Sequence, residues 1–307
     1  MKPKLIVITG PTAVGKSQLA FELAQQVDAE IINADSQQIY RYMNIGTGKP
    51  SPREREKVRH HLLDLVNPDE EFNAAMFRQA AMDAAKDIAS RHKRVVVCGG
   101  TGLYLKALTR GLFVGPPQSV EVRERIGRQI AEYGLGYVYE QLQRVDPAAV
   151  SWIHPNDRYR LTRALEVFEV TGKPISQWQK EHAFSERAFE TFTVALDRER
   201  RELYERINRR CERMIEQGFV DEVRGIEEKG YSLSLKPLQS VGYRHVGLYL
   251  REVMTLAAAV ELMKRDTRRL AKRQLTWFRG DHEIRWFHPE VHREDIARAV
   301  ENFLQIG

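Results

Sequence analysis

The sequence predicts an α/β fold in which a parallel sheet is flanked by helices and interrupted by an inserted, all-helical domain. Two observations lead to this prediction. Short β-branched strands alternate with amphipathic helices in residues 4–98, and such alternation is typical of a parallel sheet with helices on both faces. Residues 113–192, in contrast, show helical patterns and no convincing core strand.

The first strand, residues 4–9, enters a glycine-rich loop and is followed by apolar residues at helical spacing. We expect the next elements to be a strand at 30–34, a helix at 73–91 and a strand at 94–98. Ligands of such sheets bind at the carboxyl ends of the strands, so Gly10, Asp35 and Gly99 should converge there.

The helical insertion divides the core domain in the sequence. We predict a core domain from residues 1–112 and 193–307, because residues 192–196 have the pattern of a strand that returns to the sheet, and an insertion from 113–192. The clearest helix of the insertion begins at Asn156 or Asp157 and ends at Gly172. After the return strand the sequence predicts helices only, at 198–217 and 251–279.

Composition narrows the class of protein. The 307 residues are 42% hydrophobic, enough for a sizeable core, and carry a formal net charge of +6, which suits a polyanionic partner. Cys98 and Cys211 are the two cysteines, so neither a disulfide framework nor a structural zinc site is expected. No apolar run approaches the roughly 20 residues that span a membrane. We therefore expect a cytoplasmic protein without a membrane-spanning segment.

The glycine-rich loop matches the full P-loop pattern G-x-x-x-x-G-K-S between a strand and a helix, which is the context that this motif requires. Its backbone N–H groups are expected to surround a diphosphate, Lys16 to neutralise it, and the Ser17 hydroxyl to hold Mg²⁺. The residues predicted to bind diphosphate are Gly10, Pro11, Thr12, Ala13, Val14, Gly15, Lys16 and Ser17.

The positions of the carboxylates near the loop favour a use of the diphosphate other than ATP hydrolysis. P-loop ATPases commonly end a later strand with an acidic metal ligand, but the strand at 94–98 runs into Gly99 and Gly100 instead. Asp35, at the end of the second strand, is the nearest acid. It is either a catalytic base or a turn residue, since Asp often caps turns and helices at such positions.

Several motifs, in order along almost the whole chain, resemble those of the tRNA dimethylallyltransferases. They are Gly-Pro-Thr-Ala-Val-Gly-Lys-Ser at 10–17, Asp-Ser-Gln-Gln-Ile-Tyr at 35–40, Gly-Gly-Thr-Gly-Leu-Tyr at 99–104, Asn-Asp at 156–157, Arg-Ala-Leu-Glu-Val at 163–167, Val-Gly-Tyr-Arg at 241–244 and Leu-Ala-Lys-Arg-Gln-Leu-Thr-Trp-Phe-Arg at 270–279. The P-loop alone is generic, whereas the set is specific.

The resemblance implies dimethylallyl diphosphate as the prenyl donor, Mg²⁺ as the cofactor, and the adenosine 3′ of the anticodon, position 37 of tRNA, as the acceptor. The exocyclic N6 amine of this adenosine is a poor nucleophile, so the reaction needs a general base. Asp35 suits that role. Lys16 and Thr12 are predicted to act with Asp35 in catalysis. The resemblance also implies that Arg210 binds the diphosphate. The alternative is that Arg210, which lies within the apolar stripe of its helix, extends its aliphatic stem so that the guanidinium reaches solvent.

The resemblance further implies contacts with the tRNA anticodon stem-loop. The residues concerned are Asp35, Ser36, Gln37, Gln38, Thr101, Arg123, Tyr159, Arg160, Leu161, Thr162, Arg163, Gln239, Ser240, Val241, Gly242, Tyr243 and Arg244. Helical geometry turns Tyr159, Arg160 and Arg163 away from the apolar residues of their helix, to form either an RNA contact or an ordinary solvated face. We expect a monomer.

The helix at 251–279 presents Arg265, Arg268, Arg269, Lys272 and Arg279 on one side, and Leu256, Met263, Leu270 and Trp277 on the other. Its basic side has few interleaved acids, which favours RNA binding, and we assign Arg268 and Lys272 to phosphate contacts. Adjacent residues in a strand point to opposite faces, so His60 and His61 are not expected to share a metal ion.

Two alternatives remain at this stage. A small-molecule or nucleotide kinase uses the same loop to hold ATP, but the basic helix then has no role. A non-catalytic RNA-binding protein with a regulatory nucleotide site explains the charge, but gives Asp35 no role.

Overall fold

The structure is a computed structural model, which describes residues 2–112, 115–182 and 186–305. Its strands and helices follow in chain order. The strands are β1 (Lys4–Thr9), β2 (Ala29–Asn33), β3 (His60–His61), β4 (Arg94–Cys98), β5 (Glu190–Leu196) and β6 (Arg285–Phe287). The helices are α1 (Lys16–Gln26), α2 (Pro52–Lys57), α3 (Ala74–Ser90), α4 (Gly102–Arg110), α5 (Val120–Val145), α6 (Arg158–Thr171), α7 (Ile175–His182), α8 (Arg200–Glu216), α9 (Phe219–Glu228), α10 (Tyr243–Leu250), α11 (Leu256–Arg279) and α12 (Arg293–Gln305).

The chain divides into two compact units, one of residues 1–109 and 188–307 and one of residues 110–187. The boundaries expected from the sequence differ from these by three residues (112 against 109) and five residues (192 against 187). No helix in the described part of the chain is long and apolar enough to cross a membrane.

The first unit is built on a six-stranded sheet in the order β3-β2-β4-β1-β5-β6, and every neighbouring pair is parallel. Ile6 of β1 is level with Val96 of β4 on one side and Phe192 of β5 on the other. These central strands are buried on both faces, which explains their continuous apolar sequence. The predicted α/β class is confirmed.

Two parts of the secondary structure differ from the sequence-based expectation. The chain after β5 is not helical throughout, because β6 forms the sheet edge beside β5. Strands β3 and β6 are both too short to show the alternation of apolar and polar residues that predicts a strand from sequence. Helix α11, predicted at 251–279, begins at Leu256 and not at residue 251. The reason is that Thr255 caps it by accepting a hydrogen bond from the Ala258 N–H.

The second unit is helical and has its own core. Leu161 and Leu165 of α6 pack with Ile126, Val138 and Leu142 of α5. Asp157 caps α6 by accepting a hydrogen bond from the Arg160 N–H, and Gly172 ends it in the left-handed conformation, as the sequence predicts.

Candidate active site

The P-loop connects β1 to α1 at the carboxyl edge of the sheet. Gly10 has a φ of 133°, and a Cβ there would lie 2.6 Å from the Leu196 carbonyl oxygen, so no other residue fits this turn. Gly15 begins α1 without a side-chain cap, which leaves the first N–H groups of the helix available to an anion. The Lys16 ammonium donates to the Pro11 carbonyl at 2.7 Å, across the loop.

Two arginines of the first unit hold the loop from behind. Arg198 donates to the Val14 carbonyl and Arg206 to the Ala13 carbonyl, both at 3.0 Å. Arg198 is itself buried and bonded to Glu290 at 2.7 Å and to Glu202. Because these carbonyls are held outward, the loop keeps a shape in which its N–H groups can face a ligand.

Burial determines the electrostatics of Lys16. Burial, with a smaller contribution from the charge of Arg210, lowers the pKa of the ammonium to about 8, although Cys98 and Asp35 oppose the shift. Burial likewise raises the pKa of the Cys98 thiol to about 11, so this thiol is neutral at pH 7. A diphosphate bound here would supply the negative charge that stabilises the ammonium form of Lys16.

Asp35 lies at the carboxyl end of β2, beside the P-loop. Its Oδ1 accepts a hydrogen bond from the Gln37 N–H at 2.8 Å, and the Ser36 N–H donates to Thr101 Oγ1 at 3.0 Å. The turn role considered from the sequence is therefore real. Asp35 nevertheless lines the same cavity as Lys16, so its second oxygen remains available to a ligand.

A cavity of about 770 Å³ extends from the loop across the carboxyl edge of the sheet, large enough for a substrate-sized ligand. It brings together most of the site residues that were predicted in the first unit. Those that line it are Thr12, Lys16, Ser17, Asp35, Ser36, Gln37, Gln38, Thr101, Arg210, Gln239, Ser240, Val241, Gly242, Tyr243 and Arg244. Arg268 and Lys272 do not line it.

Arg210 points into this cavity from α8 and does not extend to solvent. Its guanidinium donates to the Thr47 carbonyl at 3.2 Å. Burial lowers its pKa, and the negative charge of Asp35 opposes that shift. A cation held in a cavity with so few acids has the position that an anionic ligand requires.

The loop at residues 44–48, which the sequence did not single out, forms one wall beside Arg210. Glu222 of α9 accepts hydrogen bonds from the N–H groups of Asn44, Ile45 and Gly46, at 3.0, 2.7 and 3.2 Å. The Tyr243 hydroxyl donates to the same carboxylate at 2.6 Å. In sequence Glu222 is an acid in the first turn of a helix, which gives no indication of a distant partner.

The burial of Tyr243 limits one RNA prediction. Its ring is 1% exposed and packs edge-to-face on Phe219, with centroids 4.9 Å apart. The side chain holds the loop at residues 44–48 through Glu222, which leaves any RNA contact at this position to the backbone.

The buried residues of helix α11 coincide only in part with the apolar side predicted from the sequence. Its buried residues are Ala259, Met263, Asp266, Ala271 and Phe278, whereas Leu270 lines the cavity and Trp277 is 45% exposed. Of the four residues on the predicted apolar side, Met263 is therefore buried, Leu270 lines the cavity, Leu256 is half-buried and Trp277 is exposed. An apolar residue such as Leu270 can face the cavity because cavity walls are partly apolar too.

The basic side of α11 contains an acid after all. Asp266 Oδ1 accepts from Arg265 and Arg269, at 3.1 and 3.2 Å, and Oδ2 accepts from Arg244 at 2.8 Å. Burial raises the pKa of Asp266, but the hydrogen bonds from Arg265 and His245 leave it below its usual value. Arg265 and Arg269 of α11 and Arg244 of α10 are thus paired with Asp266 and not simply solvated. Of the three, Arg244 and Arg269 line the cavity.

His245 adds a further hydrogen bond to this cluster. Its Nδ1 accepts from the Gly242 N–H at 3.2 Å, so the proton of the neutral ring lies on Nε2, which faces Asp266 Oδ2 at 3.2 Å. Burial lowers the pKa of His245 although Asp266 opposes the shift, which favours this neutral form.

The two residues of α11 that are predicted to contact RNA phosphates, Arg268 and Lys272, have different surroundings. Arg268 donates to Asn208 Oδ1 at 2.7 Å and lies over the Tyr204 ring, 5.8 Å from its centroid. Lys272 is exposed. Arg268 therefore has a structural role, and its RNA contact stays a prediction, whereas Lys272 has the character of a surface cation.

The second unit holds the predicted residues 123 and 159–163. Glu166, which is fully buried, accepts hydrogen bonds from Arg123 at 2.9 Å, from Arg163 at 2.7 Å and from the Ser119 N–H at 2.8 Å. Burial raises the pKa of Glu166, but the two arginines outweigh it and lower the value. Leu161 is buried, Thr162 is half-buried, and Tyr159 and Arg160 are exposed.

A metal site built from protein ligands alone is absent among residues 2–112, 115–182 and 186–305, where no three His, Cys, Asp or Glu side chains form a suitable group. The Ser17 hydroxyl and Asp35 line the cavity beside Lys16. Such a sparse oxygen set suits Mg²⁺, which usually keeps several waters and completes its shell with substrate phosphates.

A parallel sheet with a P-loop, a half-buried lysine and an acid at its carboxyl edge places the chain among the P-loop enzymes. A family model described as IPP transferase matches residues 38–281. The chain belongs to this family, and the resemblance noted in its motifs is confirmed.

Named relatives agree with this assignment. A tRNA dimethylallyltransferase of Syntrophobacter fumaroxidans is 48% identical over 96% of this chain and 86% of its own length. A tRNA dimethylallyltransferase 2 of Geotalea uraniireducens is 49% identical over 98% of both chains.

Solved structures resemble the whole chain. A full-length tRNA isopentenylpyrophosphate transferase from Bacillus halodurans has a TM-score of 0.72 at 35% identity, over 99% of this chain and 96% of that one. A eukaryotic dimethylallyltransferase acting on tRNA has a TM-score of 0.82 at 29% identity, over 98% of this chain and 79% of the other.

Proposed function

We propose that this enzyme transfers a dimethylallyl group from dimethylallyl diphosphate to the N6 amine of adenosine 37 in tRNA. The observation that carries the proposal is a single cavity lined by the P-loop, by Arg210 and by Asp35. Cations for a leaving diphosphate thus adjoin a carboxylate that can accept the proton of the amine. Family membership and the names of the relatives point to the same reaction.

The chemistry divides between two ends of the cavity. The bond between the allylic carbon and the diphosphate oxygen breaks while the N6 lone pair bonds to that carbon, and Asp35 takes the N6 proton. Lys16, Arg210 and the N–H groups of the P-loop stabilise the negative charge on the departing pyrophosphate. The Thr12 side chain, which lines the cavity beside them, positions the leaving oxygen.

Mg²⁺ belongs to the same proposal. The Ser17 hydroxyl would hold it against the diphosphate, where it would supply further positive charge to the leaving group. A location in the cytoplasm and a monomeric state are also proposed.

The RNA contacts are proposed on both units. On the first unit they are the cavity-lining segments 35–38 and 239–244, with Thr101, Arg268 and Lys272. On the second unit the exposed Tyr159 and Arg160 are the best candidates, since Arg123 and Arg163 are bonded to Glu166.

The proposal is tested by asking which label reaches RNA. The protein is incubated with an anticodon stem-loop and with either dimethylallyl diphosphate labelled in the prenyl group or ATP labelled in the γ-phosphate. We expect prenyl label in RNA, on the adenosine at position 37 after digestion, and no transfer when that adenosine is replaced by guanosine. Phosphate label in an acceptor, without prenyl transfer, would instead support the kinase alternative.

A further inference from the structure

Gln274, on α11, joins two loops of the cavity through its carboxamide. Its Oε1 accepts a hydrogen bond from the Thr12 N–H at 2.8 Å, and its Nε2 donates to the Gly100 carbonyl at 3.0 Å. Thr12 belongs to the P-loop after β1, and Gly100 to the turn after β4. One side chain, half-buried, thus links three segments that are far apart in the sequence.

A carboxamide is the group that this position requires. The Thr12 N–H needs an acceptor and the Gly100 carbonyl needs a donor, and a carboxamide presents one of each on a single planar group. A glutamate of the same shape would place an oxygen against the Gly100 carbonyl, and a methionine would satisfy neither partner.

The turn after β4 is shaped to admit this contact. A Cβ on Gly100 would collide with the Gln274 carboxamide, and a Cβ on Gly102 would collide with the Trp277 indole, one turn further along α11. The glycines of this turn therefore allow α11 to pack closely beside the P-loop. The close approach of α11 thus explains why the family motif at 99–104 has glycine at positions 100 and 102.

The contact between Gln274 and Thr12 matters for the reaction because Thr12 borders the predicted diphosphate site. At that site Lys16 and the α1 N-terminus supply positive charge. We propose that Gln274 is a positioning residue that fixes the P-loop backbone at Thr12, and so the Thr12 side chain, against the leaving oxygen of the donor. This inference rests on the proposed function. Helix α11 also places Arg269 and Arg273 at the cavity, so it connects the rim expected to bind RNA with the loop expected to bind the donor.

The test combines steady-state kinetics with backbone amide exchange on Gln274→Met, Gln274→Glu and the wild-type protein. Misplacement of a reacting group by about 1 Å can cost on the order of 100-fold in rate, so we expect kcat for prenyl transfer to fall about 10- to 100-fold in both variants. The KM for dimethylallyl diphosphate should stay within about threefold, because Lys16 and Arg210 are unchanged. Exchange in the peptide covering residues 10–17 should become faster.

Gln79→Met is the matched control. Gln79 is exposed on α3 and its carboxamide bonds to Asp83 of the same helix, so the same chemical change there should leave kcat, KM and P-loop exchange unaltered. If Gln274→Met does not fold, Gln274→Glu, which has the same shape, carries the test. Wild-type kcat in either folded variant would overturn the inference, as would a raised KM with unchanged kcat, which would make Gln274 a donor ligand. Failure of the wild-type protein to transfer a prenyl group would instead count against the proposed function.

Discussion

Glu222 offers the sharpest test of how the cavity wall is held. Its carboxylate accepts four hydrogen bonds, three from the N–H groups of residues 44–46 and one from the Tyr243 hydroxyl. In Glu222→Gln the carboxamide turns its NH₂ group toward at least one of these N–H groups, and the remaining bonds lose their charge. One lost charge-assisted bond to a half-buried amide costs about 1.5–3 kcal/mol, and this is the expected fall in the free energy of unfolding.

The same substitution should affect donor binding more than the chemical step. The loop that Glu222 holds includes Thr47, whose carbonyl accepts from Arg210 and from Gln38, at 3.2 and 3.1 Å. A looser loop leaves Arg210 without a fixed partner. We therefore expect the KM for dimethylallyl diphosphate to rise about 3- to 10-fold while kcat changes less than about threefold.

Urea denaturation and steady-state kinetics measure the two effects separately. Glu227→Gln is the control, because Glu227 is exposed on the same helix, and surface substitutions of this kind usually stay within about 0.5 kcal/mol. If Glu222→Gln changes both the unfolding free energy and the KM no more than Glu227→Gln does, Glu222 does not hold the loop.

Three further predictions concern the proposed reaction and its RNA. Asp35→Asn should retain the fold and the binding of both substrates but lose about 10²–10⁴ in turnover, and turnover within a fewfold of wild type would exclude Asp35 as the base. Lys16→Ala should weaken donor binding about 10- to 100-fold, since a charge-assisted bond is lost, and unchanged binding by calorimetry would place the diphosphate elsewhere. Replacing both Arg268 and Lys272 with Gln should make the slope of log tRNA affinity against log salt shallower by about one to two units. Because Arg268 also bonds to Asn208, Lys272→Gln alone is the control for stability, and an unchanged slope in both proteins would make this side of α11 an ordinary solvated surface.

The predicted site depended on residues whose roles follow from local structure. A strand, a P-loop and a helix are contiguous in the chain, and the sequence places Gly10 and Lys16 without any distant contact. The parallel sheet rule then brings Asp35 to the same edge, and the cavity contains it.

Residues that act through distant contacts were missed. Glu222 meets the N–H groups of residues 44–46, and Gln274 meets Thr12, across long separations in the sequence. A carboxylate at the start of a helix is ordinary, and the motif at 270–279 includes Gln274 without indicating its partners, so no local pattern reveals these contacts. A related limit holds for α11, because helical periodicity cannot distinguish a residue in the core from one that faces a cavity, as Leu270 does.

The sequence by itself determined the class of fold, the P-loop and the family, because each depends on short contiguous patterns or on motifs in a fixed order. Only the tertiary structure decided which charged residues face the cavity and which pair with one another. Arg210 points into the cavity where the diphosphate site is proposed, whereas Arg123 and Arg163 are bonded to the buried Glu166. The physical reason is that a buried charge needs a partner, and folding brings that partner from elsewhere in the chain.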